Sequence, residues 1–174
     1  MLEQCSIREV ERTDLPTLLS WRNHITVRSV MFNQNEISSD EHHNWFVRVK
    51  EDSNRQLLIA EDESGLLGFA QFTGVARGGI AEWGFYARPD APKGSGTKLC
   101  SLALDHAFES LELHKVYGQA IEKNAPSVAI HRKLGFTEEG VLRDHRHVNG
   151  AYVSLVCFGV LNHEWATKRN RREV

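Results

Sequence analysis

The chain has 174 residues, 41% hydrophobic and 25% charged, with a formal net charge of −2. That length favours one domain, residues 1–174, with a real core, and the composition excludes disordered and fibrous classes. A charge this close to neutral gives no field to attract nucleic acid or an acidic membrane. Three cysteines, Cys5, Cys100 and Cys157, make no paired framework and suit a reducing compartment. With no leader-like start and no long apolar run, a soluble cytoplasmic protein is the expectation.

In chain order, "SIREVE" (6–11) alternates as a first strand. "RTDLPTLLSWRNH" (12–24) reads as a helix, with Thr13 or Asp14 as cap, Pro16 in the first turn and Leu15, Leu18, Leu19 and Arg22 on one side. "ITVRSVMFNQNEI" (25–37) reads as a loop with a short turn. "SSDEHHNWFVRVKED" (38–52) is a second helix. Ser38 and Glu41 fit a capping box, and His42, Trp45, Phe46 and Val49 share a face. "RQLLIAE" (55–61) and "LLGFAQFT" (66–73) flank "DESG", a hairpin turn, and "GGIAEWGFYAR" (78–88) is the next strand.

"APKGSGTKL" (91–99) then turns into a helix with an apolar stripe at Cys100, Leu104, Ala107, Phe108 and Leu111. "HKVYGQAIE" is a strand, "NAPSVAIHRKLGF" a short helix, and "TEEGVLRDHRHV" and "AYVSLVCFGVLNHEW" two last strands joined by Asn149–Gly150. The order is βααβββαβαββ. A strand, a helix and a strand across residues 83–121 imply a parallel crossover in a mixed sheet.

A glycine turn that opens a helix is built to hold phosphate, because bare N–H groups and a partial positive charge meet there. "APKGSGTKL" lacks the Lys-Ser/Thr pair of a P-loop and the third glycine of a dinucleotide fingerprint. On spacing alone an ordinary strand-to-helix turn has a slight advantage. Two motifs together change that. Ala91-Pro92-Lys93-Gly94-Ser95-Gly96 resembles the Gln/Arg-x-x-Gly-x-Gly/Ala pyrophosphate loop of the GNAT family of N-acetyltransferases, with Ala91 departing from Gln/Arg. Asn124 followed by "APSVAIHRKLGF" resembles that family's asparagine, short helix and "LYEKLGF"-like run.

The resemblance covers nearly the whole chain. It implies an α/β (α+β) GNAT fold, with a central mixed, mostly antiparallel seven-stranded sheet flanked by about four helices. It implies acetyl-CoA as cosubstrate, held by Phe85, Tyr86 and Ala87 on a strand edge, by Lys93, Gly94, Ser95, Gly96 and Thr97 at the turn, and by Asn124, Ser127 and His131. Asn124 also fits a plain helix cap.

Trp21-Arg22-Asn23, Val27-Arg28, Met31, Glu41-His42 and Trp45 resemble one branch, the pseudaminic acid pathway acetyltransferases. That resemblance implies transfer to the 4-amino group of a UDP-linked 4-amino-4,6-dideoxy sugar. Arg22, Arg28 and His42, with Asn23, would then meet the polar nucleotide. Met31, Phe32, Trp45 and Trp83 would wall the uracil and the sugar methyl. Each residue alone reads equally as core or surface.

An amine attacks a thioester only as the free base, so a proton must leave it and another must reach the thiolate. The family's tyrosine acid is replaced here by His131, which titrates near neutrality when free; a histidine without catalytic duty is nearly as good a reading. Glu82 and Glu122 are the carboxylates expected nearest the centre. Strand alternation puts Glu82 and Trp83 on opposite surfaces unless a bulge intervenes. His42-His43 and His145-x-His147 lack zinc spacing, so no metal is expected. Cys100 lies on an apolar stripe and reads as core.

Two other functions stay open: a ribosomal-protein N-terminal acetyltransferase, and a non-catalytic CoA-binding sensor. A homodimer is possible, and no residue marks an interface.

Overall fold

The computed structural model describes residues 5–171. Seven strands form one sheet in the order β1-β2-β3-β4-β5-β7-β6. They are β1 (Ser6–Glu9), β2 (Arg55–Asp62), β3 (Gly65–Thr73), β4 (Ile80–Ala87), β5 (Lys115–Ile121), β6 (Thr137–Val148) and β7 (Ala151–Leu161). Every neighbour pair is antiparallel except β4–β5. The helices are α1 (Leu15–Asn23), α2 (Ile25–Arg28), α3 (Ser39–Lys50), α4 (Ser95–Asp105), α5 (Ala125–Leu134) and α6 (Asn162–Asn170).

The strand count and order match the sequence reading, and two helices are additional. The short turn after α1 closes as the one-turn helix α2, with the His24 side chain accepting from the Thr26 N–H. The last strand stops at Leu161 rather than running through "NHEW", and α6 begins there. Its Glu164 carboxylate accepts from the Leu161 N–H, and Trp165 folds back to donate to the Asp105 Oδ1 at 2.9 Å. α6 runs to Asn170; residues 172–174 lie outside the described residues.

Local signals account for much of this frame. The Ser38–Glu41 capping box forms in both directions. Asn149 and Gly150 take φ of +47° and +81°, the double left-handed turn of a two-residue hairpin. Asp14 precedes α1 without capping it. Its carboxylate instead takes a fork of bonds from Arg8, at 2.8 and 3.0 Å, and one from the Glu11 N–H.

Two apolar clusters sandwich the sheet. On one face α1 and α3 place Leu18, Trp21 and Phe46 against Leu57, Ile59 and Phe69. On the other, Leu99, Cys100 and Leu104 of α4 meet Leu58, Ala70 and Phe72. α4 lies close enough that β3 has no room for a side chain at Gly68: a Cβ there would sit 2.5 Å from the Tyr86 carbonyl and 2.8 Å from Leu99. Both obstacles are packed, and one is backbone. Gly68→Ala should therefore cost about 1–3 kcal/mol of stability, read as a lower urea midpoint; an unchanged midpoint would refute this close approach.

Candidate active site

β4 and β5 pair through only three registers, Ile80–Lys115, Ala81–Val116 and Glu82–Tyr117. Beyond Glu82 the strands diverge. β4 stays paired to β3 as far as Ala87, and β5 stays paired to β7 as far as Ile121. Along the inner edge of β4, every second backbone group of residues 83–87 is left without a ladder partner. A cleft of about 590 Å³ occupies the divergence.

One side of the cleft is plugged by aromatic rings. Trp83 is 6% exposed and His131 2%. The indole Nε1–H donates to His131 Nε2 at 3.2 Å, and His131 Nδ1 lies 2.8 Å from the Ser127 carbonyl. An indole only donates and a carbonyl only accepts, so Nε2 must be bare and Nδ1 must carry the proton. Phe136 and Phe158 pack on this pair. Trp83 also explains Gly118: a Cβ there would come within 2.7 Å of the indole.

This geometry corrects the reading of His131 as the thiolate's acid. Its one proton points at Ser127, its other nitrogen is occupied, and burial lowers its affinity for a second proton. Trp83 borders the cleft as part of this plug, its ring packed in the core and its one donor spent on His131.

On the opposite face, strand register builds a polar row. Arg55 pairs with Thr73, Thr73 with Glu82 and Glu82 with Tyr117, from β2 to β5. Gln71, one step along on the same face, accepts from Arg55 Nη2 at 3.3 Å. Arg55, Gln71, Thr73 and Glu82 all line the cleft. The expected separation of Glu82 from Trp83 fails although β4 has no bulge. The gap between the strands is itself the cleft, so groups from both faces of the sheet reach it.

Glu122 does not reach it. It is exposed after β5, its N–H donates to the Ser154 carbonyl, and it is not among the cleft-lining residues.

One end of the cleft is closed by α2 and the following loop through Val27, Val30, Met31 and Phe32. Arg22, Asn23, Arg28, His42 and Trp45 lie behind this wall rather than in it. The Asn23 amide is fully used, donating to the Ile37 carbonyl and accepting from the Ile37 N–H, both at 2.8 Å. Arg22 donates to the Asn33 carbonyl and Arg28 to that of Gln34. These three side chains hold the loop that presents Met31 and Phe32. His42 is 6% exposed and stacks on Trp45, which meets Phe69 of the α1/α3 core. The shared face of α3 is core, as amphipathic helix faces usually are. Burial and the nearby Arg22 cation hold the His42 imidazole below its ordinary range, and burial raises the Tyr86 phenol.

At the other end Phe85, Tyr86, Ala87, Asn124 and Ser127 line the cleft, whose wall runs on to Arg88 and Pro89. Lys93, Gly94, Ser95, Gly96 and Thr97 lie past it at the start of α4. Gly94 takes φ +100° and gives the helix no side-chain cap, and the first turn holds no acidic residue. The first intrahelical bond joins the Lys98 N–H to the Gly94 carbonyl, which leaves the amides of Gly96 and Thr97 ahead of it. Asn124 caps α5, its side chain accepting from the Ser127 N–H at 3.4 Å. An unpartnered strand edge leading to an uncapped helix start suits an extended amide-bearing arm with a diphosphate.

Residues 5–137 match the acetyltransferase (GNAT) domain model. The chain belongs to the GNAT family. It is an acetyl-CoA-dependent N-acetyltransferase, which sets aside the non-catalytic sensor. Spermidine N(1)-acetyltransferase of Vibrio cholerae is 25% identical over 97% of this chain and 99% of its own length. The Escherichia coli K12 enzyme of that name is 26% identical over 91% of this chain and 87% of its own. The crystal structure of the Vibrio cholerae enzyme in complex with CoA and spermine superposes with a TM-score of 0.86 at 26% identity, covering 94% of this chain and 98% of that one.

Sequence reasoning missed Arg55, Gln71 and Thr73, because only cross-strand register brings them beside Glu82. The buried histidines were visible but their consequence was not. Burial holds His42, His106 and His131 below the ordinary imidazole range. The unfolded chain, titrating near ~6.5, then takes up protons that the folded chain refuses. Stability is therefore fully present above about pH 6.5 and is lost as pH falls toward the folded values. Urea midpoints should be level above about pH 7 and drop between about pH 6.5 and 5; a level midpoint throughout would contradict the neutral, buried imidazoles.

Proposed function

We propose that the chain transfers acetyl from acetyl-CoA to the 4-amino group of a UDP-linked 4-amino-4,6-dideoxy sugar. The observation that carries this reading is the charge of the acceptor end. Glu82 is the one carboxylate among the described residues lining the cleft. The other charges there are cationic: Arg55 in the wall, and Arg146 of β6 with its guanidinium 4.2 Å from the centre of the Phe32 ring. A single carboxylate suits one reacting amine. Apolar Val27, Val30, Met31 and Phe32 suit a deoxysugar and a flat base. A polyamine, cationic along its length, would meet arginine where it needs carboxylates. The reading takes the chain as a single cytoplasmic domain and allows a homodimer.

In this reading Glu82 accepts the acceptor's ammonium proton, directly or through one water, and frees the amine's lone pair. Acetyl-CoA supplies the activated acyl thioester. Phe85, Tyr86 and Ala87 offer their free backbone groups to its arm, and the amides of Gly94, Gly96 and Thr97, with Lys93, take its diphosphate, the Ser95 N–H being spent on the Pro92 carbonyl. Asn124 and Ser127 border the same path. β4 also has amide donors for charge developing on the carbonyl oxygen. His131 acts only by holding Trp83, and through it the line of β4.

The second reading is a polyamine acetyltransferase. Its support is the likeness to the spermidine enzymes along nearly the whole chain. A ribosomal-protein N-terminus is a third acceptor for the same assay. Free thiol released from acetyl-CoA should appear with the UDP-linked amino sugar and stay at background with spermidine and with a basic peptide. Release with spermidine alone would replace this proposal with the second reading. Glu82→Gln should lower kcat about 100-fold or more with little change in KM for acetyl-CoA; full activity would remove Glu82 as the base. His131→Gln should leave the shape of the kcat–pH profile intact, and a lost limb would restore an acid role.

A further inference from the structure

We infer that Arg55 reads the anionic part of the acceptor, a phosphate or diphosphate carried on the same molecule as the reacting amine. This rests on the nucleotide-sugar reading and names the residue that enforces it. Arg55 opens β2, and two register steps across the sheet place it on the same face as Glu82, two strand spacings or roughly 10 Å away. Thr73 between them is small and exposed, so both charged heads face one space.

The guanidinium is held but not neutralised. Nη2 donates to the Gln71 Oε1 at 3.3 Å, while Nε is shielded from solvent with no hydrogen-bond partner. Gln71 is confined in turn, because it lies over Gly84, where a Cβ would come within 3.5 Å of Nε2. Arg55 also lines a smaller cavity of about 140 Å³, together with Glu9, Lys50 and Asp52. Lys50 takes Glu9 in an ion pair at 2.8 Å, and among the described residues no carboxylate pairs with Arg55. A half-buried, oriented guanidinium with donors to spare matches a phosphate, which it can grip as a fork.

The site is distinct from the one that holds the cosubstrate's diphosphate. Arg55 lies level with Glu82, and the turn that begins at Arg88 is six residues further along β4, roughly 20 Å away. A cation opposite the base also works as a filter: an acceptor that is cationic throughout is repelled where an anionic nucleotide is drawn in.

The test uses the full chain saturated with CoA, so that the cosubstrate's diphosphate site is filled. Calorimetry with UDP as probe should show binding to the wild type, at least tenfold weaker binding to Arg55→Gln, and an intermediate loss for Arg55→Lys, which keeps the charge without the fork. Thermal melts and an unchanged KM for acetyl-CoA establish that each variant is folded; should the glutamine variant fail to fold, the lysine variant decides. With the amino sugar as substrate, the loss should fall on its KM and not on kcat. UDP that does not bind the CoA-saturated wild type, or binds both variants as well as the wild type, overturns the inference. If UDP binds through Arg55 yet the amino sugar is not acetylated, Arg55 is an anion site and the acceptor reading alone fails.

Discussion

A sheet whose hydrogen bonds stop in its middle must find something else to satisfy them. Here the ladder between β4 and β5 ends at Glu82–Tyr117, with five residues of β4 still to run. Buried backbone groups without partners are costly enough that native structures almost never leave them so. The divergence therefore leaves half-buried main-chain groups of β4 open to a ligand or to water. Its openness rests on the flanking pairs, since β4 is held straight by β3 and β5 by β7. The same gap decides which side chains meet, because it lets groups from opposite faces of an unbulged strand border one space.

The aromatic plug shows how a residue that looks catalytic becomes structural. An indole donor and a helix carbonyl acceptor use up both nitrogens of His131 and leave a single tautomer. The imidazole takes the place where the family's motif has a tyrosine, and it spends its polarity on Trp83. A fully satisfied buried network of this kind fixes one arrangement of its surroundings. Gly118 belongs to the same unit, since the indole fills the space that a larger residue on β5 would need.

The frame was legible in the sequence where local rules act. Alternation found the strands, Ser38 and Glu41 found the start of α3, and Asn149–Gly150 found the last turn. The glycine turn and the Asn124 cap were legible for the same reason: each is a contiguous motif. The polar row of the cleft was not. Arg55, Gln71, Thr73 and Glu82 are spread over three strands and share a space only through register. Arg22, Asn23, Arg28 and His42 carried the right chemistry for ligand contact, but the loop's own backbone and the α3 core claim those side chains. "NHEW" read as strand because no glycine or proline interrupts it, whereas Glu164 starts a helix there.

The tip of the β6–β7 hairpin reaches back to the first quarter of the chain. Asn149 Nδ2 donates to the Gln34 side chain, and Arg146 covers Phe32. The Met31–Phe32 wall of the cleft is thus assembled from segments 115 residues apart, while the strand, turn and helices at its other end lie within residues 80–134. On the ribosome the two halves mature at different times: the β4–β5 divergence, the glycine turn and α5 have emerged before the hairpin exists, and the Phe32 end of the cleft is completed last.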